Sequence, residues 1–188
     1  MIKYKLIGLT GTAGAGKDTV YNILKDKYSK GNEDITLCTK KIAFASPMRK
    51  CLSVLLNISE EDFNKTEVKQ SINQYGITNR KSLQLFADHM KELFHPNIFN
   101  DIAEISIKKA LNDKLFVIIT DTRFPHEVDI VKRYGGKIVK INRNIDILGA
   151  DKNHPSEIGV ADEDVDIFIN NFGSIEDLKQ EAINKLCI

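Results

Sequence analysis

Leu6-Ile7-Gly8-Leu9-Thr10, followed directly by Gly11-Thr12-Ala13-Gly14-Ala15-Gly16-Lys17-Asp18-Thr19, decides the fold of this chain. The first five residues are mostly apolar and strand-like. Beyond the second block, Val20, Ile23, Leu24 and Tyr28 recur at helical spacing. Strand, glycine-rich loop and helix, with a lysine where the helix starts, is the layout of a phosphate-binding loop, G-x-x-x-x-G-K-[ST]. Glycines let the backbone curl so that several N–H groups point into one concavity. The helix N-terminus adds the positive end of its dipole. Gly11, Ala13, Gly14, Ala15, Gly16, Lys17, Asp18 and Thr19 are therefore the expected nucleotide-phosphate contacts. One position departs from the motif. Asp18 stands where Ser or Thr is usual, and Thr19 follows it. A magnesium ion beside the phosphates would have to use Asp18, Thr19 or water.

Outward from the loop, the chain alternates strand and helix. A second strand is expected within 35–45, around Lys41 to Ala45. Pro47 then opens a helix whose apolar face reads Met48, Cys51, Leu52 and Leu55. Arg49 stands at its start, near a strand end, where ligands gather in open α/β sheets. A plain surface arginine is the alternative. Residues 57–80 are polar and poor in apolar periodicity; Ser59-Glu60-Glu61-Asp62 resembles a helix cap, and the rest, through Tyr75-Gly76-Ile77-Thr78-Asn79, reads as a loop or mobile insert. The spacing predicts helices over 81–94 and 98–111, the second with Ile98, Ile102, Ile105 and Ala110 inward. Arg80, Gln84, Asp88 and His89 fall on or beside the first of these.

Leu115 to Thr120 is a buried strand ending in Asp121-Thr122-Arg123-Phe124-Pro125-His126-Glu127. An acid at that place is where a kinase with such a loop sets its metal-side carboxylate, and Arg123 can fork onto a phosphate. The alternative is that Asp121 or Thr122 caps the helix that Pro125 opens. Val128, Val131 and Tyr134 face that helix inward, and Gly135-Gly136 ends it. Lys137 to Ile141 is a half-exposed strand leading to Arg143. Residues 143–163 lack periodicity and read as a lid. Val165 to Ile169 is a last strand, and Ser174 caps the last helix. Five strands alternating with helices imply a parallel, doubly wound sheet in a three-layer α/β fold.

The balance of residues narrows the class. In 188 residues, 42% are hydrophobic, 28% are charged and the net charge is +1. One domain with a substantial core is expected. Near-neutral charge argues against a broad nucleic-acid or acidic-membrane surface. The cysteines Cys38, Cys51 and Cys187 form no metal or disulfide pattern, which fits a reducing, cytoplasmic setting. No apolar run approaches membrane-spanning length, and no signal peptide is expected ahead of the first strand.

The blocks Gly11–Thr19, Phe44-Ala45-Ser46-Pro47-Met48-Arg49-Lys50, Asp121–Glu127, Arg143, His154-Pro155-Ser156-Glu157 and Asn170-Asn171-Phe172-Gly173-Ser174 occur in one order and register. Together they resemble the deoxynucleoside monophosphate kinases of bacteriophages, relatives of adenylate kinase. The likeness runs from residue 3 to about 185. It implies a P-loop NTPase fold in a single domain, with 57–95 as a helical acceptor-binding insert and 143–163 as the lid region. It implies transfer of the γ-phosphoryl group of ATP, with Mg²⁺, to a deoxynucleoside 5′-monophosphate. Arg49, Arg80, Gln84, Arg123 and Glu127 are then the acceptor-side residues, and Lys17, Asp121, Arg123 and Arg143 the catalytic set. Asp18 and Thr19 are the candidate metal ligands. The stretch Gln84 to Glu92 lacks the glycine-threonine pair and the arginine expected there, so an altered base preference follows. The expected partners are nucleotides, with a homodimer left open. Two other readings stand beside this one. One is a kinase of another small phosphorylated acceptor, similar to phosphomevalonate kinase. The other is a nucleotide-binding switch, in which Arg49, Arg80, Arg123 and Arg143 would have no role.

Overall fold

The computed structural model describes residues 3–29, 38–143 and 159–187. His154-Pro155-Ser156-Glu157 and all of the lid region between Arg143 and Gly159 lie outside the described residues. The described chain divides into two compact units, one from 1–43 with 104–188 and one from 44–103.

The first unit is built on strands β1 (Leu6–Thr10), β2 (Thr39–Ile42), β3 (Phe116–Ile119), β4 (Lys137–Asn142) and β5 (Ile167–Asn170). They form one sheet in the order β2-β3-β1-β4-β5. Every neighbouring pair is parallel, as alternation with helices requires. β1 is central and buried at all five positions, so its residues read as an apolar run rather than an alternation. Helices α1 (Lys17–Ser29) and α8 (Ile175–Leu186) cover one face. There Val20, Leu24, Leu178, Ala182 and Leu186 interlock with Ile7, Leu9, Val139, Ile141 and Ile169. Helix α7 (Pro125–Arg133) covers the other face through Val128 and Val131. Gly136 lets α7 and β1 close up, since a Cβ there would meet Leu6 Cγ at 2.7 Å. This is the three-layer parallel α/β architecture expected from the sequence.

β2 lies earlier than expected. It pairs from Thr39 with Phe116 to Ile42 with Ile119, and the last rung is Thr120 N–H to Ile42 O at 3.1 Å. Ala43 to Ala45 follow the strand and run into helix α2 (Ser46–Leu56).

The second unit holds α2, α3 (Glu60–Phe63), α4 (Thr66–Gln70), α5 (Asn79–Leu93) and the start of α6 (Ile98–Asn112). Two expectations change here. The stretch 57–80 is structured. Ser59 caps α3 by accepting Asp62 N–H at 3.0 Å, and Phe63 is fully buried against Leu52 and Leu56. A turn follows, with Asn73 N–H to Ile77 O at 2.9 Å. Short capped elements this brief leave no periodicity to read. The inward face of α2 is also rotated: Leu52, Ser53 and Leu56 are buried, whereas Leu55 and Cys51 are exposed.

Helix α6 differs most. Phe99, Ala103, Ile107 and Ala110 are its buried apolar residues, while Ile102 is 40% and Ile105 67% exposed. The sequence carries two apolar stripes at helical spacing, and the core takes the one containing phenylalanine. Among the described residues no helix is long and apolar enough to cross a membrane.

Candidate functional site

Between β1 and α1 the loop curls as the motif requires. Gly11 has φ +134° and Gly16 φ +106°. A Cβ on Gly11 would meet Ile141 O at 2.5 Å, and one on Gly16 would meet Asn171 Nδ2 at 2.7 Å. Both positions exclude side chains twice over, by conformation and by space. The Lys17 ammonium folds back over the loop and donates to Gly11 O at 2.7 Å and Thr12 O at 2.8 Å. Its charge is thereby fixed above the concavity. Ala15 is fully buried, and its N–H donates to Thr12 O at 3.2 Å, so Ala15 serves the loop's own shape.

Two distant residues lock the loop from the β4–β5 side. Arg143, just past β4, donates from Nη1 to Gly14 O at 3.0 Å. Asn171, just past β5, donates from Nδ2 to Ala15 O at 2.8 Å. The Asn171 N–H in turn donates to Asn142 O at 2.8 Å. A cavity of about 260 Å³ opens beside this junction, walled by Gly11, Thr12, Asn142, Arg143 and Phe172.

From the β3 side comes the segment Asp121–Glu127. Thr122 N–H donates to Leu9 O at 3.1 Å, tying the segment to β1. Phe124 is the N-cap of α7, so neither Asp121 nor Thr122 caps it. A phenylalanine ring accepts no hydrogen bond, and the cap is completed by Glu127. Its Oε2 accepts Arg123 N–H at 2.7 Å and Phe124 N–H at 3.1 Å. Glu127 is 5% exposed. Burial first, and the nearby Asp121 charge second, push its carboxyl up to about 8. The Glu127 carboxyl thus faces backbone, and it shapes the turn that carries Arg123. The His126 ring stacks on Phe124, with centroids 5.4 Å apart.

The Asp18 carboxylate pairs with Lys41 Nζ on β2 at 2.6 Å, and that ammonium also sits 4.9 Å from the Tyr21 ring centroid. Among the described residues, no group of three or more His, Cys, Asp or Glu side chains could hold a metal by itself. Oxygen donors at Asp18, Thr19 and Asp121 suit a different arrangement. Mg²⁺ commonly binds through one or two carboxylates, substrate phosphates and retained waters. Asp18, Thr19 and Asp121 carry oxygen donors of that kind, with Asp18 paired to Lys41.

In the second unit, Arg80 and Gln84 lie one turn apart on α5 and so share a face. Arg49 lies on α2, which packs on α5 in the same unit. Asn171 belongs to the block Asn170-Asn171-Phe172-Gly173-Ser174, which by itself assigns it no role, and Lys41 reads from sequence only as part of the second strand. Asn171 was findable only through that block, and nothing local marked Lys41.

Comparison with known proteins bears on this site. A family model described as deoxynucleotide monophosphate kinase matches residues 39–182. A protein of Acanthamoeba polyphaga mimivirus, carrying the provisional name of a deoxynucleotide monophosphate kinase, is 30% identical over 193 residues, covering 95% of this chain and 94% of its own. The deoxynucleoside-5′-monophosphate kinase of Escherichia phage T5 is 25% identical over 242 residues, with the same two shares, 95% and 94%. Among solved structures, a dephospho-CoA kinase from Campylobacter jejuni matches with a TM-score of 0.48 at 19% identity, over 96% of this chain and 94% of that one.

Proposed function

Because the chain belongs to the deoxynucleotide monophosphate kinase family, we propose a division of labour among its residues for that family's reaction. The protein is a kinase that moves the γ-phosphoryl group of ATP onto a deoxynucleoside 5′-monophosphate, giving the diphosphate and ADP. The acceptor phosphate oxygen forms the new P–O bond as the bond to the β,γ-bridging oxygen breaks. An acceptor phosphate is already a competent nucleophile near neutral pH, so no strong base is needed. The protein's work is alignment and charge stabilisation.

The Lys17 ammonium and the loop N–H groups hold the β- and γ-phosphates. The geometry supporting this is the ammonium held over Gly11 O and Thr12 O at 2.7 and 2.8 Å, on a loop locked by Arg143 and Asn171. That is the single observation carrying the reading. Arg143 and Arg123 neutralise charge on the phosphoryl group in transit, from the β4 and β3 sides of the loop. Asp121, with Asp18 and Thr19, would hold Mg²⁺, directly or through water. The ion would supply neutralisation of phosphate charge. Glu127 acts on the acceptor side through the Arg123 backbone. Arg49, Arg80 and Gln84 take the acceptor nucleotide.

The test is an ADP-release assay with ATP and Mg²⁺ against a panel of deoxynucleoside and ribonucleoside monophosphates. Turnover on one or more deoxynucleotides supports the reading and names the base. A folded, ATP-binding protein that turns over none of them would overturn it.

A further inference from the structure

We propose that Lys41 is a charge-compensating residue of the phosphate-binding loop. It neutralises Asp18, the acid that stands in the motif's hydroxyl position, and so keeps the loop receptive to a polyphosphate. This role rests on the placing of ATP's phosphates at Lys17 and the loop N–H groups.

Asp18 directly follows Lys17 and lies in the first turn of α1. An acid there suits the helix dipole. As a fixed anion it also competes with the phosphate groups that the same helix end attracts. The usual Ser or Thr at this position carries no charge.

The opposite charge comes from β2, an edge strand. Lys41 pairs in register with Ile118, which pairs with Ile7. Ile118 and Ile7 both belong to the core packed against α1, so Lys41 lies on the sheet face that α1 covers. A lysine at such a place lays its apolar stem along the sheet and keeps its head in water. Its Nζ lies 2.6 Å from Asp18 Oδ1 and 4.9 Å from the Tyr21 ring centroid. Asp18 and Tyr21 are three positions apart on α1 and share a face. Two residues of one helix therefore hold one ammonium, which fixes the charge beside the acid. The Lys41 and Asp18 side chains are 43% and 76% exposed. An ion pair so exposed adds little to folding. Its value lies in the field it sets at the loop.

Calorimetric titration of ATP into the whole chain in EDTA, where no metal contributes, tests this. Lys41→Met keeps the stem and leaves Asp18 uncompensated. It should raise the Kd for ATP by roughly three- to tenfold, with the melting temperature of the free protein nearly unchanged. The defect should shrink in high salt, which screens exposed charges. Asp18→Ser removes the acid and should lower the Kd. The double variant Lys41→Met with Asp18→Ser should return close to wild-type affinity, which no packing damage at Lys41 would do. A Lys41→Met protein that binds ATP as tightly as wild type overturns the compensation, as does a defect indifferent to salt. A double variant as weak as Lys41→Met alone also overturns it, because the acid is then not felt by the phosphates. A wild type that binds no ATP overturns the reading of the loop itself, and this role with it.

Discussion

Glu127 holds Arg123 by its backbone: Oε2 accepts the Arg123 N–H at 2.7 Å from a side chain that is 5% exposed. The same oxygen takes the next N–H along, at Phe124. A guanidinium that must meet a phosphoryl group depends on where its own Cα sits, and this carboxyl sets that. Glu127→Ala should therefore lower kcat by roughly ten- to a hundredfold, as small misplacements do. Glu127→Gln keeps an acceptor oxygen and should lose much less. Equal losses in the two variants would show that the hydrogen bonds to backbone are not what matters.

The same residue gives a pH signature. Its carboxyl is raised from about 4.5 to about 8 in the fold, chiefly by burial. The folded state therefore binds more protons than the unfolded state between those values, and this group's contribution to stability falls as pH rises through that window. Melting temperatures measured from pH 4 to 9 should show a decline over that range that Glu127→Gln flattens. Parallel curves for the two proteins would contradict the shift.

Lys17 is expected to be worth roughly two to three orders of magnitude in kcat/KM, as for other preorganised charge donors. Lys17→Ala with an unchanged melting temperature and near-normal turnover would remove it from the mechanism. Lys17→Met, which keeps the apolar stem, separates lost charge from lost packing.

The loop's lock from β5 predicts a stability effect at a distance. Asn171→Ala removes the donor to Ala15 O and should cost about 1 kcal/mol, together with weaker ATP binding by calorimetry. Gly16→Ala is harsher. It forces a side chain into φ +106° and against the Asn171 amide, at about 1–3 kcal/mol for the strain alone. If Gly16→Ala were as stable as wild type, the tight approach of loop and Asn171 would not exist.

Thr122 offers the opposite sign. Its hydroxyl is buried with no hydrogen-bond partner among the described residues. Thr122→Val keeps the shape and should be neutral or stabilising in thermal denaturation. A large destabilisation would mean that the hydroxyl is in fact satisfied.

The parts of this molecule that were legible in the sequence are those whose physics is local. Gly11 to Lys17 announce a positive-φ loop by composition, and Leu115 to Thr120 announce a buried strand by continuous apolarity. Ser59 and Ser174 announce caps, and both accept the expected N–H groups, at Asp62 and Asp177. What stayed hidden depends on partners far along the chain. Asn171 reaches Ala15 across 156 positions, and Lys41 reaches Asp18 across 23. No spacing rule connects such pairs. The error on α6 is of another kind. Helical periodicity there fits two faces equally, and only the tertiary core selects Phe99, Ala103, Ile107 and Ala110 over the isoleucine stripe.

The position of β1 between β3 and β4 makes the sheet a ruler. Adjacent strands lie about 4.8 Å apart, so the strands leading to Arg123 and Arg143 are separated by roughly twice that, with the loop on the midline. In the division of labour proposed above, Arg123 and Arg143 take one phosphoryl group from the two sides of that separation. A lysine in either place would be a point charge on a shorter stem, without the planar fork. The width of a hydrogen-bonded ladder, which is the same in every protein, thereby becomes a selection on side-chain reach. Arg123→Lys and Arg143→Lys, which preserve charge, should forfeit most of what each arginine contributes.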